Sequence, residues 1–80
     1  MAVTLVFLGK LADLAGGPER AVDAPLNWAG LLGGFDAGLA DAVQGARVRV
    51  AVNGALLADK TQLAAQDGDE VALLPPVSGG

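Results

Sequence analysis

The chain opens with alternating side chains in Ala2–Leu8 (AVTLVFL). Alternation with period two is typical of a β-strand, because successive side chains of a strand point to opposite faces of the sheet. One face carries Val3, Leu5 and Phe7, and the other carries Thr4, Val6 and Leu8. Both faces are largely apolar, so we expect this first strand to lie in the centre of a sheet.

Shorter segments, separated by glycine and proline, follow this strand. Leu11–Leu14 predicts a short turn of helix, which Gly16-Gly17-Pro18 ends. Arg20–Ala24 (RAVDA) predicts a second strand. We expect it to pair with the first strand as a hairpin.

The main helix is predicted to begin after Asn27, because asparagine is a good N-cap residue. An apolar stripe follows at helical spacing and consists of Trp28, Leu31, Leu32 and Phe35. Glycines at positions 30, 33 and 34 interrupt the segment, each costing up to about 1 kcal/mol relative to alanine in a helix interior. We therefore expect packing to hold this helix, and Leu39–Val43 predicts a second short one.

The second half of the chain predicts three more strands. Arg47–Asn53 (RVRVAVN) alternates, with its valines on one face and Arg47, Arg49 and Ala51 on the other. Asn53-Gly54 predicts a two-residue type I′ turn, because both residues tolerate positive φ. Such a turn pairs Ala51 with Leu56 and directs Leu57 to the core. After the Asp67-Gly68-Asp69 turn, Glu70–Leu74 is the predicted last strand.

This order of elements predicts an α+β fold in which a mixed sheet of about five strands packs on one main helix. The ubiquitin-like β-grasp fold has this order. With the first, third and last strands as neighbours, the outer face of the sheet carries a mostly apolar patch: Val6, Leu8, Ala51, Leu56, Ala72, Leu74 and, at its edge, Arg49. A patch of this kind usually marks a partner surface; the alternative is the scattered surface apolar residues of an Ala- and Leu-rich protein.

Composition narrows the classes of function. Eighty residues form one domain, and 52% hydrophobic residues disfavour disorder. A formal charge of −4 disfavours a nucleic-acid partner and favours a protein with a basic face. No apolar run reaches the roughly 20 residues that cross a membrane, and the N-terminal segment lacks the features of a signal peptide. We expect a cytoplasmic protein.

The missing residue types restrict the chemistry further. The chain has no Cys, His or Tyr, and its one serine, Ser78, has no histidine to activate it. Conventional side-chain catalysis is therefore nearly excluded, and no metal site is expected. The acidic turn around Asp67, Asp69 and Glu70 lacks the ligand succession of an EF-hand loop, so a solvated turn is the preferred interpretation.

The last six residues predict an arm that leaves the folded body. Pro75 and Pro76 lack amide donors and stiffen the chain, so we divide the chain into a domain, 1–74, and a functional tail, 75–80. Gly79 and Gly80 have no Cβ, so they can enter a narrow channel and leave a terminal carbonyl open to attack. The alternative is an inert, flexible end.

The segment DGDEVALLPPVSGG, Asp67–Gly80, closely resembles the C-terminal signature of the small, sulfur-carrying subunits of molybdopterin synthase. The resemblance extends over the whole chain. The VTLVFLGKLADLAG opening, the Asn27-capped helix and the VAVNG hairpin fall where that family has them.

The resemblance implies that an ATP-dependent, ubiquitin-activating-like adenylyltransferase activates the Gly80 carboxylate. A persulfide-derived sulfur then gives a thiocarboxylate. The tail would enter the large subunit of molybdopterin synthase and donate this sulfur to the pterin precursor of the molybdenum cofactor, in a heterotetramer. On this hypothesis the chain is not catalytic alone and binds no cofactor itself; ATP belongs to the activating enzyme.

The resemblance also implies which residues act. Gly80, with Gly79, is the reactive end, and Leu8, Leu56 and Leu74 lie in the partner interface. The remaining predicted partner-binding residues are Arg49, Pro75, Pro76, Val77 and Ser78. Lys10 and Lys60 are interpreted most simply as solubilising charges.

Three alternatives remain open. The thiazole-forming sulfur carrier of thiamine synthesis is also a β-grasp protein with a Gly-Gly end, although its tail usually lacks the Pro-Pro-Val-Ser/Thr pattern. A tungsten-pterin or general sulfur-supply role cannot be separated by sequence. A noncovalent interaction module with an inert tail belongs to a different class of function.

Overall fold

The structure is a computed structural model that describes residues 1–76. Its strands are β1 (Ala2–Phe7), β2 (Glu19–Asp23), β3 (Leu26–Asn27), β4 (Arg49–Val52), β5 (Ala55–Leu56), β6 (Ala64–Ala65) and β7 (Glu70–Leu74). Its helices are α1 (Lys10–Ala15), α2 (Trp28–Gly33) and α3 (Ala37–Val43), with a 3-10 helix at Lys60–Gln62. The predicted residues Val77, Ser78, Gly79 and Gly80 lie outside the described part of the chain.

The main sheet has five strands in the order β2-β1-β7-β4-β5. Strands β1 and β7 pair in parallel at its centre, and the other neighbours pair antiparallel. Strands β3 and β6 form a separate two-stranded sheet. The mixed sheet with its helices confirms the α+β, ubiquitin-like β-grasp prediction, including the central places of the first and last strands. The division into a domain, 1–74, and a tail, 75–80, stays a prediction.

The core lies between the inner face of the sheet and the helices. Alternate residues of the central strands are fully buried, among them Leu5, Phe7, Val50, Val71 and Leu73. The helices cover them with Leu11, Leu31, Leu39 and Val43. Burying one such side chain contributes about 1.5–3 kcal/mol, so this layer is the main source of stability.

The main helix begins as predicted but is shorter. The Asn27 side chain accepts a hydrogen bond of 2.8 Å from the Gly30 N–H, which confirms the N-cap. The helix ends at Gly33, so Phe35 is not on its apolar stripe, contrary to the prediction. Two successive glycines disfavour further helix. The Phe35 ring instead packs 5.7 Å from that of Phe7.

Most element boundaries differ from the predictions by one or two residues. The strand predicted at Arg47–Asn53 covers only Arg49–Val52, although Val48 is buried beside it. The Asn53-Gly54 turn is confirmed, with φ of 51° and 85°, and Ala51 pairs with Leu56. Leu57 packs against the core, as expected.

Lys60 is a structural cation rather than a solubilising charge, which corrects the prediction. Its ammonium donates hydrogen bonds to the carbonyl oxygens of Gly45 and Val48, the latter at 3.0 Å. It also lies 5.8 Å from the centre of the Trp28 ring. Desolvation by burial, together with the charge of Arg49, lowers the pKa of Lys60. Lys60 thus joins the 3-10 helix to α2 and to the segment before β4.

Arg20 is likewise used inside the domain. Its guanidinium lies 5.5 Å from the ring centres of both Phe7 and Phe35, and it donates a 3.0 Å hydrogen bond to the Ala15 carbonyl. These contacts join β2 to α1 and to the aromatic part of the core.

The carboxylates of the acidic turn before β7 accept hydrogen bonds from backbone N–H groups. Asp69 accepts hydrogen bonds from the Gln66 N–H at 2.8 Å and the Asn53 side-chain amide at 2.9 Å. Asp67 accepts one from the Ala2 N–H at 2.9 Å. Because the Asn53 side chain also accepts from the Glu70 N–H at 2.9 Å, the turn fixes the start of β7 against β1 and the hairpin.

Replacing Lys60 with methionine should destabilise the domain, because two carbonyl groups lose their donor. Hydrogen bonds to charged groups contribute about 1.5–3 kcal/mol, and partial solvent exposure makes the lower end appropriate. The free energy of unfolding in urea measures the loss. Lys10→Met, at an exposed position of α1, is the matched control and should change it by less than about 0.5 kcal/mol. Equal effects of the two substitutions would contradict the structural role of Lys60.

Stability should fall at acidic pH through Asp69. Hydrogen bonds from Gln66 and Asn53 lower the pKa of Asp69 in the folded protein, so its contribution is complete above the unfolded pKa of about 3.9. That contribution disappears as pH falls through the lower folded value. We expect Asp69→Asn to lower the urea midpoint at pH 7, and the difference from wild type to shrink below about pH 4. A difference that stays constant between neutral and acidic pH would disprove this role.

Candidate functional site

One row of side chains crosses four strands on the outer face of the sheet. The ladder pairs Val6 with Ala72, Ala72 with Ala51, and Ala51 with Leu56. The two small alanines lie at the centre and the larger side chains lie at the ends. Ala51 faces this side but is only 6% exposed, so the row presents a shallow apolar surface that is most accessible at Leu56.

A second row lies next to the end of the last strand. Leu74 pairs with Arg49 across the β7–β4 ladder. Leu8 follows β1, and its N–H donates a 3.3 Å hydrogen bond to the Leu73 carbonyl. Leu8 is 42% exposed and Leu56 is 62% exposed. The structure thus places Leu8, Arg49, Leu56 and Leu74 on one face, as the alternation predicted.

The chain leaves the sheet beside Gly9. Strand β7 ends at Leu74, half-buried Pro75 follows, and Pro76 is exposed. Gly9 has a φ of 56°, and a Cβ built on it would lie 3.1 Å from the Pro75 Cγ. A glycine at position 9 therefore gives the first proline room to pack against the end of β1. The sequence analysis did not predict this contact, although a glycine next to a strand is a signal of a close approach by another part of the chain.

Within residues 1–76, no group of three or more potential metal ligands comes together. No helix in that part of the chain is long and apolar enough to cross a membrane. Of the predicted reactive and partner-binding residues, Val77, Ser78, Gly79 and Gly80 lie outside the described range, so their roles stay predictions.

A model of the ThiS family matches residues 5–80. The chain belongs to the ThiS family. This membership agrees with the fold, in which the last strand is central and leads directly into the segment beginning at Pro75. No protein of curated function matches the sequence significantly.

Among the solved structures similar to this ThiS family chain are an archaeal modifier protein and a subunit of a molybdopterin-converting factor. The crystal structure of small archaeal modifier protein 1 (SAMP1) from Haloferax volcanii has a TM-score of 0.73 and 27% identity, with 100% of each chain covered. A chain in the complex of subunits 1 and 2 of the molybdopterin-converting factor from Helicobacter pylori 26695 has a TM-score of 0.69 and 26% identity, again with 100% of each chain covered. The chain thus has the fold of the ubiquitin-like sulfur carriers.

A third similar structure supports the fold alone. The putative molybdopterin converting factor, subunit 1, from Pyrococcus furiosus has a TM-score of 0.70 and 22% identity, with 96% of this chain and 99% of that chain covered.

The two faces of the sheet should respond differently to substitution. Leu56→Gln should change the free energy of unfolding by less than about 0.5 kcal/mol, because most of this side chain is in water. Leu73→Ala should cost about 2–5 kcal/mol, because it leaves a cavity under the sheet. Urea unfolding measures both. A large loss for Leu56→Gln would mean that the outer face is covered within this domain.

Proposed function

We propose that the chain is the sulfur-carrying subunit of a molybdopterin synthase and that Gly80 carries the sulfur. The observation that supports this most directly is its likeness, over its full length, to a chain in the Helicobacter pylori complex of molybdopterin-converting factor subunits 1 and 2. The Pro75-Pro76-Val77-Ser78-Gly79-Gly80 segment supports the same assignment, because it resembles the tail of that family.

The reaction uses the main chain as the reactive group. In the first step a Gly80 carboxylate oxygen attacks the α-phosphate of ATP on an adenylyltransferase, and pyrophosphate leaves. The outer sulfur of a persulfide on the sulfur donor then displaces AMP at the carbonyl carbon and gives an acyl disulfide. A second thiol reduces this bond, which releases Gly80 as a thiocarboxylate and leaves a disulfide on the donor. This sulfur attacks the pterin precursor on the large subunit. Water then cleaves the C–S bond of the resulting thioester, which leaves the sulfur on the precursor and returns Gly80 to a carboxylate. The absence of cysteine in the sequence fits this hypothesis, because no thiol competes for the sulfur.

The folded body supplies the binding energy for this chemistry. Fixing each tail residue in a partner's channel costs about 1–2 kcal/mol of backbone entropy. Apolar contacts contribute about 25 cal/mol per Å² of buried surface, and Leu8, Leu56 and Leu74 offer such surface on the outer face. We propose that the large subunit binds this face, with Arg49 at its edge.

The family and its structural neighbours support two other candidate functions. The first is a sulfur carrier for thiamine thiazole synthesis, which the name of the ThiS family supports. The likeness to small archaeal modifier protein 1 supports a role in which the same carboxylate is joined to another protein. All of these roles require activation of Gly80, so they differ in the acceptor rather than in the first step. We propose the cytoplasm as the place of action.

Loading of sulfur on Gly80 can be measured directly. Co-expression with the adenylyltransferase and sulfur source of the same organism should raise the intact mass by the difference between sulfur and oxygen. Deleting Gly80, or adding one residue after it, should abolish the mass change while urea unfolding stays the same, because the reactive carbonyl is lost or displaced.

The acceptor distinguishes the candidate functions. Loaded protein mixed with the large subunit and the pterin precursor should lose its sulfur and form molybdopterin. Loading without this transfer would contradict the molybdopterin role and favour another acceptor. An unchanged mass in the wild-type chain would contradict every role that uses a thiocarboxylate.

A further inference from the structure

Acidic and basic side chains lie at opposite ends of strand β7. The acidic turn with Asp67, Asp69 and Glu70 lies at the start of β7, next to the start of β1. Arg49 pairs with Leu74 at the other end of β7. Three of the nine acidic residues of the chain therefore lie at the end of β7 that is away from the tail.

Two more cations lie at the end from which the tail leaves. Lys10 and Arg47 are both exposed and both line a groove of about 920 Å³ between α1 and the segment before β4. Pro75 and Pro76 line the same groove. Because the basic groove is continuous with the start of the tail, a partner that takes the tail also meets these two charges.

The position of these cations contrasts with that of the other basic residues. Arg20 and Lys60 make contacts inside the domain, with the aromatic rings and carbonyl groups described above. Lys10, Arg47 and Arg49 are left exposed around the end of β7. Within the described residues, no aspartate or glutamate lines the groove. The two charged side chains that line the groove are thus both cations, although the chain has a net charge of −4.

The groove is not suited to a small anion alone. Apolar groups form much of its lining, including Leu11 and Leu14, and Leu14 is 48% exposed. A phosphate or similar ion would satisfy the cations but leave this apolar surface in water. A protein segment that carries both carboxylates and an apolar side chain would satisfy both parts of the groove.

We propose that this groove, with Lys10 and Arg47 on its rim, binds an acidic, partly apolar segment of the adenylyltransferase beside the channel that receives the tail. The inference rests on the proposed function. The adenylyltransferase is the partner concerned because it is the first to take the tail, before any sulfur is attached. Opposite charges at the exit would speed encounter and align the tail with the channel. The apolar outer face of the sheet remains available for hydrophobic contacts with a partner.

The test compares three single substitutions that change the net charge equally. Lys10→Gln and Arg47→Gln each remove a cation from the groove, and Gln66→Glu adds an anion at the acidic end. Binding to the adenylyltransferase is measured by calorimetry or surface plasmon resonance at low and high sodium chloride. Urea unfolding and thiocarboxylate formation at saturating enzyme are measured on the same proteins.

We expect Lys10→Gln and Arg47→Gln each to weaken binding roughly two- to fivefold at low salt, mainly through slower association. The effect should shrink at high salt. Gln66→Glu should bind like wild type, and all three variants should load fully at saturation. Equal binding of all three variants, with normal loading, would overturn this inference but leave the proposed function intact.

Other results would also reject the assignment. If the substitutions weaken binding only to the large subunit, the acidic segment belongs to the large subunit and not to the adenylyltransferase, and this inference is wrong. Stronger competition by sodium phosphate than by sodium chloride of equal ionic strength would indicate a phosphate site. A wild-type chain that takes up no sulfur would overturn both this inference and the proposed function.

Discussion

The parallel pairing of β1 with β7 is the constraint on which the rest of the structure depends. It places the last strand between β1 and β4, with a ladder on each side. Beneath it, Val71 and Leu73 are fully buried. A central strand held on both edges and from below has one position, so the segment that begins at Pro75 leaves the sheet in one direction. A last strand at the edge of the sheet would be held on one side only, so the position from which the tail leaves would be less well fixed.

The same pairing also separates the two faces of the sheet. A slip of one residue would exchange Val71 and Leu73 with Ala72 and Leu74, and core and outer face would change places. The hydrogen bonds of Asp69 and Asn53 oppose such a slip, because they fix the start of β7 against the hairpin. The acidic turn, which resembles a solvated loop in sequence, thus helps to define the surface on which Leu8 and Leu56 lie.

The sequence predicted features whose causes are local. Asn27 caps the next helix, and Asn53-Gly54 makes a tight turn, because each residue acts on its immediate neighbours. Interactions between distant positions were not predictable in this way. Lys60 binds the carbonyls of Gly45 and Val48, and no periodicity indicates a bond from a side chain to a distant backbone.

Elements that are short or depend on packing were also missed. Strands β3 and β6 have two residues each, too few for an alternating pattern. For the candidate site, the tail motif and the outer-face leucines were predictable, whereas the groove shared by Lys10, Arg47 and Pro76 arises only when α1 and the end of β7 come together.

The position of Trp28 has an optical consequence. As the sole tryptophan, it lies on a helix that covers the inner side of the sheet, so its fluorescence should report unfolding and remain almost silent when another protein covers the opposite side.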